Sequence, residues 1–138
     1  MPAKCPSPKV REPLEYDLQK SVCQYLRLQY PELIFTSDLS GIRMPMGLAV
    51  KTSKLRSSRA IPDLLIFEAR KGYHGLFIEL KRPGVKFFKK DGITPATEHF
   101  AEQWEMVKRL NAKGYLSEVA DSYEKAVALI DSYLSTNK

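Results

Sequence analysis

Asp63, Glu79 and Lys81 are the residues of this chain whose types and spacing amount to chemistry. They lie in Ile61-Pro62-Asp63-Leu64-Leu65-Ile66-Phe67 and in Gly75-Leu76-Phe77-Ile78-Glu79-Leu80-Lys81, two apolar runs flanking the turn-prone Arg70-Lys71-Gly72-Tyr73. Short apolar runs bounded by turn residues read as buried strands, so the whole segment reads as a hairpin. With the turn centred near Lys71, positions 63 and 79 are equidistant from it and face each other, their Cβ atoms about 5 Å apart. Lys81 is two residues beyond Glu79 and projects from the same face. Two carboxylates that close need a cation between them, and hard oxygen ligands select Mg²⁺ or Mn²⁺. This is the outline of a phosphodiesterase site. The competing reading is a surface ion pair at a strand end, which contributes little.

The distribution of charge favours the first reading. The net charge is +6 and the pI near 9.3, which suits a polyanionic partner. Arg43, Lys51, Lys54, Arg56 and Arg59 fall within residues 40–62 with no acidic residue among them. Lys81, Arg82, Lys86, Lys89 and Lys90 fall within residues 81–90, again unopposed. A charge run is usually a solvated face, but two runs bracketing a carboxylate pair form a cradle for a phosphate backbone.

Other classes are poorly served. No apolar run approaches the length of a membrane span, and no apolar stretch follows the basic N-terminus as in a signal peptide. Cys5 and Cys23 are too few for a disulfide framework, and His74 and His99 have no neighbours to complete a zinc set. The expectation is a cytoplasmic protein with reduced thiols. A Gly-rich phosphate loop, which a nucleotide hydrolase would use, is missing.

The elements that must position these residues follow from periodicity. Residues 1–13 carry Pro2, Pro6, Pro8 and Pro13 and read as a flexible basic arm ahead of one domain, 14–138. Leu14, Leu18, Val22 and Leu26 make the apolar face of a first helix, with Glu15 and Gln19 on a stripe beside it. Residues 33–36 read as a strand. Residues 42–60 read as a partly mobile basic loop, with a short helix over 46–55 as the alternative. After the hairpin, Phe87 and Phe88 look exposed among lysines, and Thr94 with Pro95 signals the start of a helix. Phe100, Trp104, Val107 and Leu110 mark that helix's buried face, and Gly114 ends it. A strand over 115–120 and a helix capped by Ser122, with Ala126, Val127, Ile130 and Leu134 inward, complete the chain. This order predicts an α/β fold, a short mixed sheet with helices on both faces.

Glu15 and Gln19 on the first helix, Gly41-Ile42-Arg43, Pro62-Asp63-Leu64, Glu79-Leu80-Lys81, and Gln103 eleven residues before Gly114-Tyr115 together resemble the PD-(D/E)xK nuclease superfamily. Within it the chain is similar to the virus-type replication–repair nuclease (VRR-NUC) domain, over about residues 14–134. Two positions depart from the pattern: Ala60-Ile61 stands where a Gly often precedes the Pro-Asp by two residues, and Phe100 stands where a polar residue is expected. The resemblance implies a restriction-endonuclease-like core and a Mg²⁺- or Mn²⁺-dependent endodeoxyribonuclease. Asp63, Glu79, the Leu80 carbonyl and Glu15 would be metal ligands, Lys81 would orient the attacking water, and Gln103 and Gln19 would contact that water or the phosphate. It also implies a small phage or bacterial protein, acting as a homodimer on branched DNA, above all four-way (Holliday) junctions. A flap or single-strand nuclease of the same fold, or a non-catalytic DNA-binding module, are the alternatives.

Overall fold

The computed structural model describes residues 15–39, 42 and 44–135. The basic arm and Arg43 lie outside the described residues. Helix α1 (Glu15–Gln29) is followed by strand β1 (Phe35–Ser37), helix α2 (Met46–Ser53), strands β2 (Leu64–Ile66) and β3 (Leu76–Leu80), helix α3 (Glu98–Ala112), strand β4 (Leu116–Ala120) and helix α4 (Tyr123–Leu134). The strands form one mixed sheet in the order β1-β2-β3-β4, antiparallel across the first two pairs and parallel across the last.

The β2–β3 register decides the site. Leu64 pairs with Ile78 and Ile66 with Leu76, so the next position places Asp63 opposite Glu79, as the turn-centred count predicts. At the turn, Lys71 (φ 53°) and Gly72 (φ 84°) are both left-handed. That is the conformation a two-residue hairpin connection demands, and glycine takes it without steric cost. Arg70 and Tyr73 close the turn with reciprocal backbone hydrogen bonds of 3.2 and 2.8 Å.

Alternation along the strands then sorts side chains between two faces. Leu64, Ile66, Leu76, Ile78 and Leu80 join Leu18, Val22 and Leu26 of α1 and Ala126, Ile130 and Tyr133 of α4 in the core. Asp63, Glu79 and Lys81 have the opposite parity and face α3. Asp131 fastens α4 to α1 by accepting from the hydroxyls of Tyr25 (2.6 Å) and Tyr30 (2.7 Å).

Several expectations need correcting. Thr94 does not cap α3: its hydroxyl donates to Asp91 (2.6 Å) in a tight turn, and Thr97 is the cap, accepting from the Phe100 N–H at 3.0 Å. The buried stripe of α3 is Gln103, Met106 and Val107, with Phe100, Trp104 and Leu110 half-buried beside it. Residues 46–53 are helical, yet α2 buries no residue. Phe87 is buried and Phe88 half-buried, because α3 offers them Phe100 and Trp104 to pack on. No helix among the described residues is long and apolar enough to cross a membrane.

Candidate active site

The β2–β3 hairpin brings Asp63, Glu79 and Lys81 together beneath α3, 7%, 2% and 3% exposed respectively. Asp63 Oδ2 accepts from the Leu80 N–H at 2.8 Å, which locks this carboxylate against the neighbouring strand. Lys81 Nζ lies 3.6 Å from Glu79 Oε1 and 3.8 Å from Glu15 Oε1 at the start of α1. From α3, Gln103 Nε2 donates to Glu79 Oε1 at 2.8 Å. The first turn of one helix, one face of another and two strand ends therefore converge on one point.

Burial raises the Glu79 pKa, and the adjacent Asp63 carboxylate raises it further. Lys81 opposes the shift, but the carboxyl is still pushed up to about 10. The other carboxylate oxygen, Glu79 Oε2, is buried without any hydrogen-bond partner, and so is Gln103 Oε1. Buried polar oxygens are normally satisfied; here Glu79 can share a proton with the adjacent Asp63, or the two can give that place to a cation. The donor set is all oxygen and fits Mg²⁺ or Mn²⁺, which need only one or two carboxylates and complete their shell with water and phosphate. Among the described residues no three Asp, Glu, His or Cys side chains are gathered around one metal position. The side chain of Glu15 is 40% exposed and sits against Lys81.

Gln19 has a task the sequence did not reveal. Its amide donates to the Ser37 hydroxyl and to the carbonyls of Asp38 (2.8 Å) and Asp63 (3.3 Å), while Ser37 Oγ also donates to the Asp63 carbonyl at 3.0 Å. Gln19, buried on the inner face of α1, thus straps that helix to β1 and to the backbone of Asp63. The signal was available: Gln19 follows the core residue Leu18 and lies four residues from Glu15, on the border of the buried face.

The site opens into a cavity of about 320 Å³ whose wall also includes Arg56, Arg59, His99 and Phe100. His99 and Phe100 stand four and three residues before Gln103, the helical spacing that puts all three on one face. Arg56 pairs with Asp38 at 3.0 Å, and its Nε is buried without a partner. Arg59 makes two 2.8 Å hydrogen bonds to Glu102. Lys51, Lys54, Lys86, Lys89 and Lys90 are exposed, and Arg82 is half-buried. A larger groove of about 750 Å³, lined by Leu18, Tyr25, Leu28 and Tyr123, shares no residue with this site.

Comparison with solved structures finds a chain described as a "VRR_NUC domain protein", with a TM-score of 0.63 over 88% of each chain. The protein has the VRR-NUC fold. Sequence identity to that chain is 24%. No model of a known protein family matches the sequence, and no curated protein does. The VRR-NUC fold thus rests on architecture, and the chemistry rests on the residues described above.

Proposed function

We propose that the chain is a Mg²⁺- or Mn²⁺-dependent endonuclease that hydrolyses phosphodiester bonds in DNA. The observation that carries this reading is the buried pair Asp63 and Glu79 beside the Lys81 ammonium, with Glu79 Oε2 unpartnered. Facing carboxylates inside a fold weaken it unless a proton or a cation is held between them, and a non-catalytic DNA-binding module has no use for such a pair. Asp63, Glu79 and the Leu80 carbonyl would hold the ion, with Glu15 acting through water. When bound, the ion lowers the pKa of a coordinated water and neutralises phosphate charge.

The protein's own groups supply the rest. Gln103 fixes Glu79 through Oε1 and leaves Oε2 for the site. Gln19 and Ser37 hold the backbone of Asp63. Lys81 donates to the attacking water or to a non-bridging phosphate oxygen and stabilises the negative charge that develops at phosphorus. Arg56, in the wall of the same cavity, supplies guanidinium N–H donors for the same phosphate group or its neighbour. Exposed Lys51, Lys54, Lys86, Lys89 and Lys90 contact the flanking backbone without reading bases.

The substrate we propose is branched DNA, foremost the four-way junction, cut by a homodimer whose two sites match the junction's symmetry. Support for assembly comes from α2 and its flanks, where Leu39, Ile42, Met46, Leu48, Val50 and Leu55 are all exposed. Exposed apolar side chains gathered on one short segment are available to a second copy of the chain. The test is light scattering together with product mapping on linear, nicked, flap and four-way DNAs with Mg²⁺ or Mn²⁺. Paired symmetric nicks by a dimer are expected. A monomer that prefers flaps would overturn the junction assignment, and DNA binding without cleavage in either metal would overturn the enzyme.

A further inference from the structure

Phe100 stands three residues before Gln103 on α3, in the wall of the site cavity, with its ring facing Lys81. The ring centroid lies 4.7 Å from Lys81 Nζ, inside the ~6 Å reach of a cation–π contact. The other neighbours of this ammonium are Glu79 Oε1 at 3.6 Å and Glu15 Oε1 at 3.8 Å. Both are longer than a charge-assisted hydrogen bond of about 2.8 Å. Lys81 is only 3% exposed, so water does little to solvate its charge, and a buried ammonium without close partners is costly.

The ring is itself held in place. Phe100 stacks on Phe87, with centroids 5.1 Å apart and planes 23° apart. Phe87 packs edge-on against Phe88 (5.0 Å) and Trp104 (6.2 Å), and Phe88 packs edge-on against Trp104 (5.1 Å). The loop carrying these rings is pinned by Lys89 N–H to Thr94 O (2.7 Å) and Ala96 N–H to Phe87 O (2.8 Å). The Thr97 cap fixes the Phe100 backbone at the start of α3. A run of packed rings therefore leads from the loop through Phe87 and Phe100 to Lys81.

We propose that Phe100 is the positioning residue for Lys81. Its ring face holds the ammonium at the site while leaving the N–H groups for phosphate and water, and Phe87 is the buttress behind the ring. A carboxylate or carbonyl in the same place would take one donor and fix its direction. A ring attracts the whole cation with little directional demand, and an aliphatic side chain would leave only the two more distant carboxylate oxygens to hold it. This inference rests on the nuclease reading above, because it assigns Lys81 a task in cleavage.

The test replaces Phe100 in the full-length chain with mono-, di- and trifluorophenylalanine, which keep nearly the same shape while draining the ring's negative face. The kcat for DNA cleavage should fall progressively, by roughly fivefold to thirtyfold at the trifluoro ring, with KM unchanged. Phe100→Tyr should preserve kcat, and Phe100→Leu should match the trifluoro variant. In parallel, NMR of the Lys81 Cε methylene should show an upfield ring-current shift that Phe100→Leu abolishes. A flat kcat across the fluorinated series would overturn the proposal, leaving the ring as mere packing. An unshifted Lys81 methylene would overturn the placement itself. A wild-type chain that cuts no DNA refutes the nuclease reading, and the Lys81 shift then still decides whether the ring holds the ammonium.

Discussion

Glu79→Gln keeps the shape of a side chain that is 2% exposed and removes its charge. The amide oxygen can still accept from Gln103, so packing and the 2.8 Å hydrogen bond are preserved. In metal-free protein the Glu79 carboxyl, pushed up to about 10 by burial and Asp63, lies far above the ordinary 4.5. The folded chain therefore holds one more proton than the unfolded chain between those two values. The stability this group contributes is fully present below pH 4.5 and is lost as pH rises towards 10, by about 1.4 kcal/mol per pH unit. Between about pH 6 and 8 the wild type should lose stability relative to Glu79→Gln, by on the order of 3 kcal/mol, a sizeable part of a stability of ~5–15 kcal/mol. Urea unfolding in EDTA, followed through the fluorescence of Trp104, measures the difference; groups that do not touch Glu79 cancel, and what remains belongs to Glu79 and its neighbours together. Saturating Mg²⁺ should flatten the wild-type slope, because the ion takes the proton's place and its binding releases that proton. Parallel pH profiles for the two proteins in EDTA would refute the reasoning. Lys81 would then have kept Glu79 ionised despite burial.

Gln19→Ala should cost about 1–3 kcal/mol in urea unfolding, because the Asp38 and Asp63 carbonyls lose a donor. It should also lower kcat, and wild-type kcat would show that the strap does not position Asp63. Neutralising Lys51 with Lys54, or Lys86 with Lys89 and Lys90, should weaken DNA binding and reduce the salt slope by about 0.9 for each phosphate no longer neutralised, whatever the sequence of the duplex. Neutralising Arg59 should do less, since Glu102 already holds its guanidinium. Filter binding across a salt series checks both, and an unchanged slope would remove the lysines from the interface.

The hairpin was legible because two independent signals agreed: a turn needing positive φ at Lys71 and Gly72, and apolar runs on either side. Once its centre is known, period-2 alternation fixes which side chains meet, and Asp63, Glu79 and Lys81 follow. Gln103 was legible only through the resemblance, which picks it out by its distance from Gly114-Tyr115. The residues that escaped depend on tertiary partners. Phe87 and Phe88 looked exposed because lysines flank them, but the slot that takes them is built by Phe100 and Trp104 of a helix that comes later in the chain. Thr94 and Thr97 both suit an N-cap, and the choice fell to Asp91, which engages Thr94 first. The pairing of Arg56 with Asp38 and of Arg59 with Glu102 joins residues 18 and 43 positions apart, a separation that no local pattern encodes. Helix α2 gave no buried stripe to detect.

Cleavage of a labelled four-way junction by wild type, Asp63→Asn, Lys81→Met and Glu15→Ala, each with Mg²⁺ and with excess EDTA, tests the central claim most directly. The wild type should cut with Mg²⁺ and not in EDTA. Asp63→Asn and Lys81→Met should lose cleavage by about a thousandfold or more while still folding, as expected for groups acting in the transition state. Glu15→Ala, whose side chain is part-exposed at the mouth of the site, should retain part of the activity. Cleavage by Asp63→Asn at the wild-type rate, or wild-type cleavage undiminished in EDTA, would contradict the assignment of this carboxylate pair as the centre of the chemistry.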